Sequence, residues 1–168
     1  MAKKVIMAWS KCKLQIGKMG SDEAMGTTLT EIGPLKYQST ELTADDGDTL
    51  QMQEEGAGQV GYEQLPGAYS LTTRVIEPDD ALYTLLGLGK AGSGSGAGFQ
   101  VSTHVVADYF SIQVDPLHTG ARGIKAPKCS VSVKPGFSTQ DGNYMDITFG
   151  ILNGAAGYWY ERTTKAAE

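Results

Sequence analysis

From Cys129 the chain reads Cys129-Ser130-Val131-Ser132-Val133-Lys134, and later Met145-Asp146-Ile147-Thr148-Phe149-Gly150-Ile151. Apolar side chains fall at every second position in both runs. That is the period of an extended strand with one buried face. Pro135-Gly136 and Asp141-Gly142 bound a turn region between them, because proline presets φ and glycine accepts a positive one. A pair of strands joined by a turn sets the pattern for the rest of the chain.

Working upstream, Phe110, Ile112 and Val114 alternate in the same way, whereas Val101, Thr103 and Val105 have the opposite parity. A change of phase at Ala107–Asp108 implies a bulge or a sheet corner. Tyr69, Leu71, Thr73 and Val75 share one face of a further strand, and Cys12, Leu14 and Ile16 share a face of another. Thr27–Ile32 and Ser39–Thr43 are short strand candidates. Leu50 and Met52 alternate with Thr49, Gln51 and Gln53, and Asp45-Asp46-Gly47-Asp48 before them reads as a tight hairpin turn. Tyr158-Trp159-Tyr160 reads as a last short strand.

One helix is expected, over Glu77–Gly87: Pro78 stands near its first position, Asp79 and Asp80 suit the positive end of its dipole, and Gly87 follows its end. Leu82, Leu85 and Leu86 form its apolar stripe. Gln53–Gly67 has neither period and reads as a long loop or a flexible hairpin tip. Gly89–Gly98, rich in glycine and serine, reads as a flexible linker. The sum is one domain over residues 1–168, mainly β (α+β): an antiparallel β-sandwich or partly closed barrel with one packed α-helix.

Composition narrows the function. Glycine is 22 of 168 residues, nearly twice the usual share of about 7%, which fits a chain with many turns. The formal charge of −5 disfavours a whole-chain nucleic-acid or anionic-membrane binder, since those need cationic surface. No apolar run approaches the roughly 20 residues of a membrane span. Val5–Trp9 is too short for a signal peptide and lysines follow it, so the expected product is cytoplasmic, with Cys12 and Cys129 as free thiols.

The residues that carry chemistry do not gather in sequence. The glycines of Gly92–Gly98 follow a helix and precede a strand, the reverse of a dinucleotide-binding turn. His104 and His118 stand fourteen residues apart with no Cys-x-x-Cys, too few ligands for zinc. Asp45–Asp48 lacks the spacing of a calcium loop. Asp79/Asp80 and Glu54/Glu55 read as a helix start and a solvated loop, and Cys129 as core filler in its strand. No catalytic residue, metal or cofactor is expected, and an enzyme would need a site assembled only in three dimensions.

The order of elements resembles the phage tail tube proteins, and with them the type VI secretion tube proteins. The resemblance rests on Glu41–Thr49 with its Asp-Gly turn, on Gln51–Glu55 leading into the loop, on Tyr69–Ile76 and the helix at Pro78–Leu86, and on Val133–Phe137 with Asn143–Phe149. The glycine-rich Gly89–Gly98 departs from that layout. The resemblance implies a non-enzymatic virion structural protein, made in the bacterial cytoplasm and placed in the virion tail. Its partners would be its own copies in hexameric rings, other phage tail proteins, and DNA passing through the lumen without specific binding, with no membrane. It also implies a hairpin from each subunit that reaches the adjacent ring.

Charge suggests how copies would meet. Residues 1–18 carry five lysines and no acid, and residues 19–63 carry ten acids and one base. Lys3, Lys4 and Lys11 on one side, and Glu54, Glu55, Tyr62 and Glu63 on the other, are therefore the candidate inter-subunit contacts. The alternative is a small-ligand or glycan-binding β-sandwich, with Tyr158, Trp159 and Tyr160 as a stacking platform; the plainer reading of those three rings is an aromatic edge of the core.

Overall fold

The computed structural model describes residues 11–166. The strands are β1 (Cys12–Lys18), β2 (Thr30–Glu31), β3 (Glu41–Ala44), β4 (Thr49–Glu54), β5 (Gly58–Gln64) and β6 (Tyr69–Ile76), followed by helix α1 (Asp80–Leu85). Then come β7 (Gly89–Ala91), β8 (Phe99–Val101), β9 (Phe110–Pro116), β10 (Arg122–Ser138), β11 (Gly142–Ile151) and β12 (Glu161–Thr164). The main sheet runs β2-β1-β9-β10-β11-β6-β3, with β12 also on β10, and its pairings are antiparallel. The chain is thus mainly β with one short helix, as the alternation predicts.

The alternating residues do what their period requires. Phe110, Ile112, Cys129, Met145, Ile147, Phe149, Leu14, Ile16 and Val75 are fully buried, and they belong to one core cluster. Each large apolar side chain contributes about 1.5–3 kcal/mol by leaving water. Residues 30–36 carry the sheet round on itself. The Ile32 amide donates to the Leu14 carbonyl on β1, Leu35 bridges Val75, and the Lys36 amide donates to the Arg74 carbonyl on β6. One segment therefore joins strands from opposite sides of the sheet, which makes it a partly closed barrel.

β10 serves two neighbourhoods. Its first part pairs with β9 and β12 and its second part with β11, and its register against β9 shifts between Ala126 and Cys129. Pro127 stands in that shift. Its carbonyl accepts a hydrogen bond from the buried Ser111 hydroxyl at 2.6 Å, and the Gly26 amide donates to the same hydroxyl at 2.8 Å. The Ser111 hydroxyl thus fills the irregularity with two hydrogen bonds, and no buried side-chain polar atom among the described residues is left unpaired.

Several expectations need correction. Asp45-Asp46-Gly47-Asp48 is not a hairpin turn, because β3 pairs with β6 and β4 with β5. A returning strand lies opposite both flanks, so a longer ladder overrides the local turn signal. Of the two readings of Gln53–Gly67, the long loop fails and the hairpin stands: β5 occupies Gly58–Gln64 and pairs with β4, and the chain turns near Glu55–Ala57. The Gly89–Gly98 stretch is paired as well. It forms β7 and the tip of a β7–β8 hairpin, closed by the Gly92 amide on the Gly98 carbonyl. The parity change before Phe110 is a break between β8 and β9 rather than a bulge in one strand. The helix is shorter than expected, six residues, and Gly87 with φ of 71° stops its continuation. Tyr158-Trp159-Tyr160 is not a strand; β12 begins at Glu161.

Candidate assembly surfaces

β4 and β5 form a two-stranded ribbon that continues the β3–β6 pair. Glu41↔Thr72 through Ala44↔Tyr69 and Thr49↔Gln64 through Met52↔Gly61 share one register, with nothing inserted or lost between them. The neck is held by the Asp45 amide on the Ala68 carbonyl and the Leu65 amide on the Asp48 carbonyl, both at 2.8 Å. Past the neck the ribbon is left uncovered by the described residues: every residue of β4 is exposed, and so is every residue of β5 except Gly61. It is an arm.

Alternation sorts the arm into two faces. Leu50, Met52 and Glu54 share a face, and Glu63 joins them because it stands opposite Leu50. Thr49, Gln51 and Tyr62, which stands opposite Gln51, share the other. Large apolar side chains are open to water on both: Met52 is 65% exposed and Tyr62 61%. Residues 49–64 hold three glutamates and no base. Exposed apolar residues thus cluster on the ribbon, and among the described residues neither of its edges pairs with another strand.

The structure thus brings together four of the sequence-derived contacts, Glu54, Glu55, Tyr62 and Glu63, on one arm. Lys11 lies elsewhere, at the start of β1, where its carbonyl accepts from the Leu117 amide at 2.9 Å. Lys3 and Lys4 lie outside the described residues. Part of the acidic excess is neutralised within the chain, since Glu31 pairs with Lys13 at 3.1 Å and Glu23 pairs with Lys128. The exposed Leu50, Met52 and Val60 were not marked by the sequence as surface. Their signal was density: four large apolar residues in sixteen, among glutamines and glycines, are too few for a core strand pair.

A second feature lies on the outer face of β6, β11 and β10. Arg74 donates to both Asp146 oxygens, at 2.6 and 2.9 Å, and to Asp141 at 2.9 Å, while Lys36 reaches Asp141 at 2.6 Å. The Arg74 guanidinium also stacks on the Tyr144 ring at 4.2 Å. The Lys36 hydrogen bond, and after it that of Arg74, hold the Asp141 carboxyl below its usual range. Beside this network is an open groove of about 490 Å³, whose lining includes Lys36, Tyr37, Arg74, Lys134 and Asp146.

Of the aromatic residues near the C-terminus, Tyr158 stays 40% exposed, whereas its two neighbours turn inward. Trp159 and Tyr160 both meet Tyr69 edge to face, at 5.7 and 5.4 Å, and pack on the core. Cys129 is fully buried, and burial pushes its thiol up to about 12, so its thiolate is scarce at neutral pH. Among the described residues no three His, Cys, Asp or Glu side chains gather as metal ligands, and no helix is long and apolar enough to cross a membrane. A scan of protein-family models and a search of curated proteins give no match to this chain.

Proposed function

We propose that this chain is a structural subunit of a phage tail tube, which assembles with its own copies into stacked rings around a DNA-conducting lumen. The observation that carries this reading is the β4–β5 arm. It is too regular to be a loop and too apolar to be left in water, yet none of the described residues covers it. A second copy supplies that cover at no cost in new sequence. The sheet supports the same reading, because its order ends at β2 and β3, and neighbouring copies can pair with open edges. An acidic excess suits a wall along which DNA slides without sticking. Under this reading the chain is made in the bacterial cytoplasm, resides in the virion tail, meets other tail proteins at the tube's ends, and performs no catalysis.

A glycan-binding reading loses its main support, since Trp159 and Tyr160 are packed on Tyr69 rather than presented as a platform. The test is negative-stain microscopy and sedimentation of the purified chain across concentrations. Rings or tubes whose abundance rises with concentration are the expected result. A protein that stays monomeric to millimolar concentration overturns the reading. Deleting residues 49–64 distinguishes the arm's role: the shortened chain is expected to fold and to stop stacking.

A further inference from the structure

The arm leaves the barrel at the Ala44–Tyr69 pair, level with Ile151 on β11 and Cys129 on β10. From that level β6 and β10 run away from the arm. Phe137 lies eight residues past Cys129 along β10, roughly 26 Å at the rise of an extended strand. Phe137 is 72% exposed and Tyr37 84%. The Lys36–Asp141 bond ties Tyr37's segment to the β10–β11 turn, close in sequence to Phe137. The groove lies between these levels, on the outward side of Thr72, Arg74 and Lys134, and its lining holds three bases against one acid.

One copy therefore presents an acidic, apolar ribbon at one end. Toward the other it presents a basic groove with an exposed aromatic ring in its wall. Surfaces that differ pair head to tail, and a head-to-tail contact repeats without closing. The groove is of the size that holds a small group of side chains rather than the whole width of a ribbon. The arm face of Leu50, Met52, Glu54 and Glu63 matches it: two apolar side chains for Tyr37, and carboxylates for Lys134. Lys134 makes no ion pair among the described residues, whereas Lys36 and Arg74 are already bonded to Asp141 and Asp146. That leaves Lys134 as the cation open to a partner's carboxylate.

We propose that the groove bounded by Tyr37 and Lys134 receives the β4–β5 arm of a second copy, with Leu50 and Met52 on Tyr37 and Glu63 facing Lys134. The inference rests on the assembly reading above and names the receiving surface for it.

Charge exchange tests the pairing. Lys134→Glu and Glu63→Lys are each expected to slow assembly about threefold to tenfold at low salt, followed by light scattering, and the double exchange is expected to return within about twofold of the parental rate. Because Lys134 stands opposite Asp146 on β11, Lys134→Gln is measured beside it; circular dichroism verifies each fold, and the neutral variant decides if the reversed one unfolds. Parental tubes together with unaltered assembly of the Lys134 variants would overturn the receiving surface and leave the assembly reading standing. Slow single variants without recovery in the double exchange would overturn the Glu63 partnership. A parental protein that never assembles would remove the assembly reading itself, and this inference with it.

Discussion

Gly67 lies directly against the carbonyl of Asp45: a Cβ built on Gly67 would stand 1.6 Å from that oxygen. The mirror contact is Gly47 on the Leu65 carbonyl, where a Cβ would stand at 1.7 Å. The two strands of the neck thus meet backbone to backbone, and only glycine permits it. Gly67→Ala is expected to force the neck open at a local cost of about 1–3 kcal/mol. Hydrogen exchange should then quicken across β4 and β5 while β6 and β11 keep their protection. Equal loss in all four strands would show that arm and barrel open as one unit.

The ion network predicts an acid-side loss of stability. Lys36 and Arg74 depress the Asp141 carboxyl, and the Lys128 hydrogen bond depresses that of Glu23. A carboxyl whose pKa is lower in the folded chain stabilises fully above its unfolded value, about 3.9 for Asp and 4.3 for Glu. That contribution fades as pH falls through the folded value. The melting temperature should therefore drop as pH is lowered from 5 through about 4 and below. Asp141→Asn should melt lower than the parent at pH 7 and lose less on acidification. A parallel pair of pH curves would clear Asp141 of the effect.

Core and arm should answer differently to truncation. Ile147 is fully buried between β10 and β6, so Ile147→Ala is expected to cost about 2–5 kcal/mol in urea unfolding of the monomer. Leu50 is 54% exposed on the arm, and Leu50→Ala should change monomer stability by no more than about 0.5 kcal/mol. A large loss at Leu50 in a proven monomer would mean that the arm folds back onto its own barrel.

The two thiols should separate by accessibility. Cys129 is fully buried with its pKa pushed up to about 12, whereas Cys12 is only partly buried, although burial raises its pKa too. A disulfide reagent at pH 8 is expected to modify at most one thiol per folded chain, slowly, and two after unfolding. Rapid modification of both would contradict the closed core around Cys129.

The strands of the barrel were legible because one face of each meets the core and the other meets water. Leu71, Thr73 and Val75, or Met145, Ile147, Phe149 and Ile151, announce such a face by period alone. Only the first strand of the arm was legible, since Leu50 and Met52 alternate with Thr49, Gln51 and Gln53 where β4 lies; in β5, Val60 and Tyr62 are spaced as in a strand, but Gly58 and Gly61 blur the pattern. The Asp-Gly signal at residues 46–47 misled for a related reason. Turn chemistry reports what four residues tolerate, whereas the ladder from Glu41 to Thr72 is decided by residues some thirty positions apart. Closure of the barrel through Ile32 and Lys36 was equally invisible, because backbone hydrogen bonds to Leu14 and Arg74 carry no side-chain signature. Of the candidate contact residues, charge composition singled out Glu54, Glu55 and Glu63; the sequence could not show that they share an arm with Leu50 and Met52.

The continuous register between arm and barrel has a mechanical meaning. A pull on the arm along its length passes straight into β6, which is clamped to β11 by a ladder from Tyr69↔Ile151 to Ile76↔Tyr144. Loaded in that direction, the ladder is sheared and its bonds share the tension at once. A pull across the strands would instead peel the pairs apart in turn, beginning at Tyr69. The anchorage of the arm is therefore strongest against a load that runs along β6 and weakest against one that crosses it.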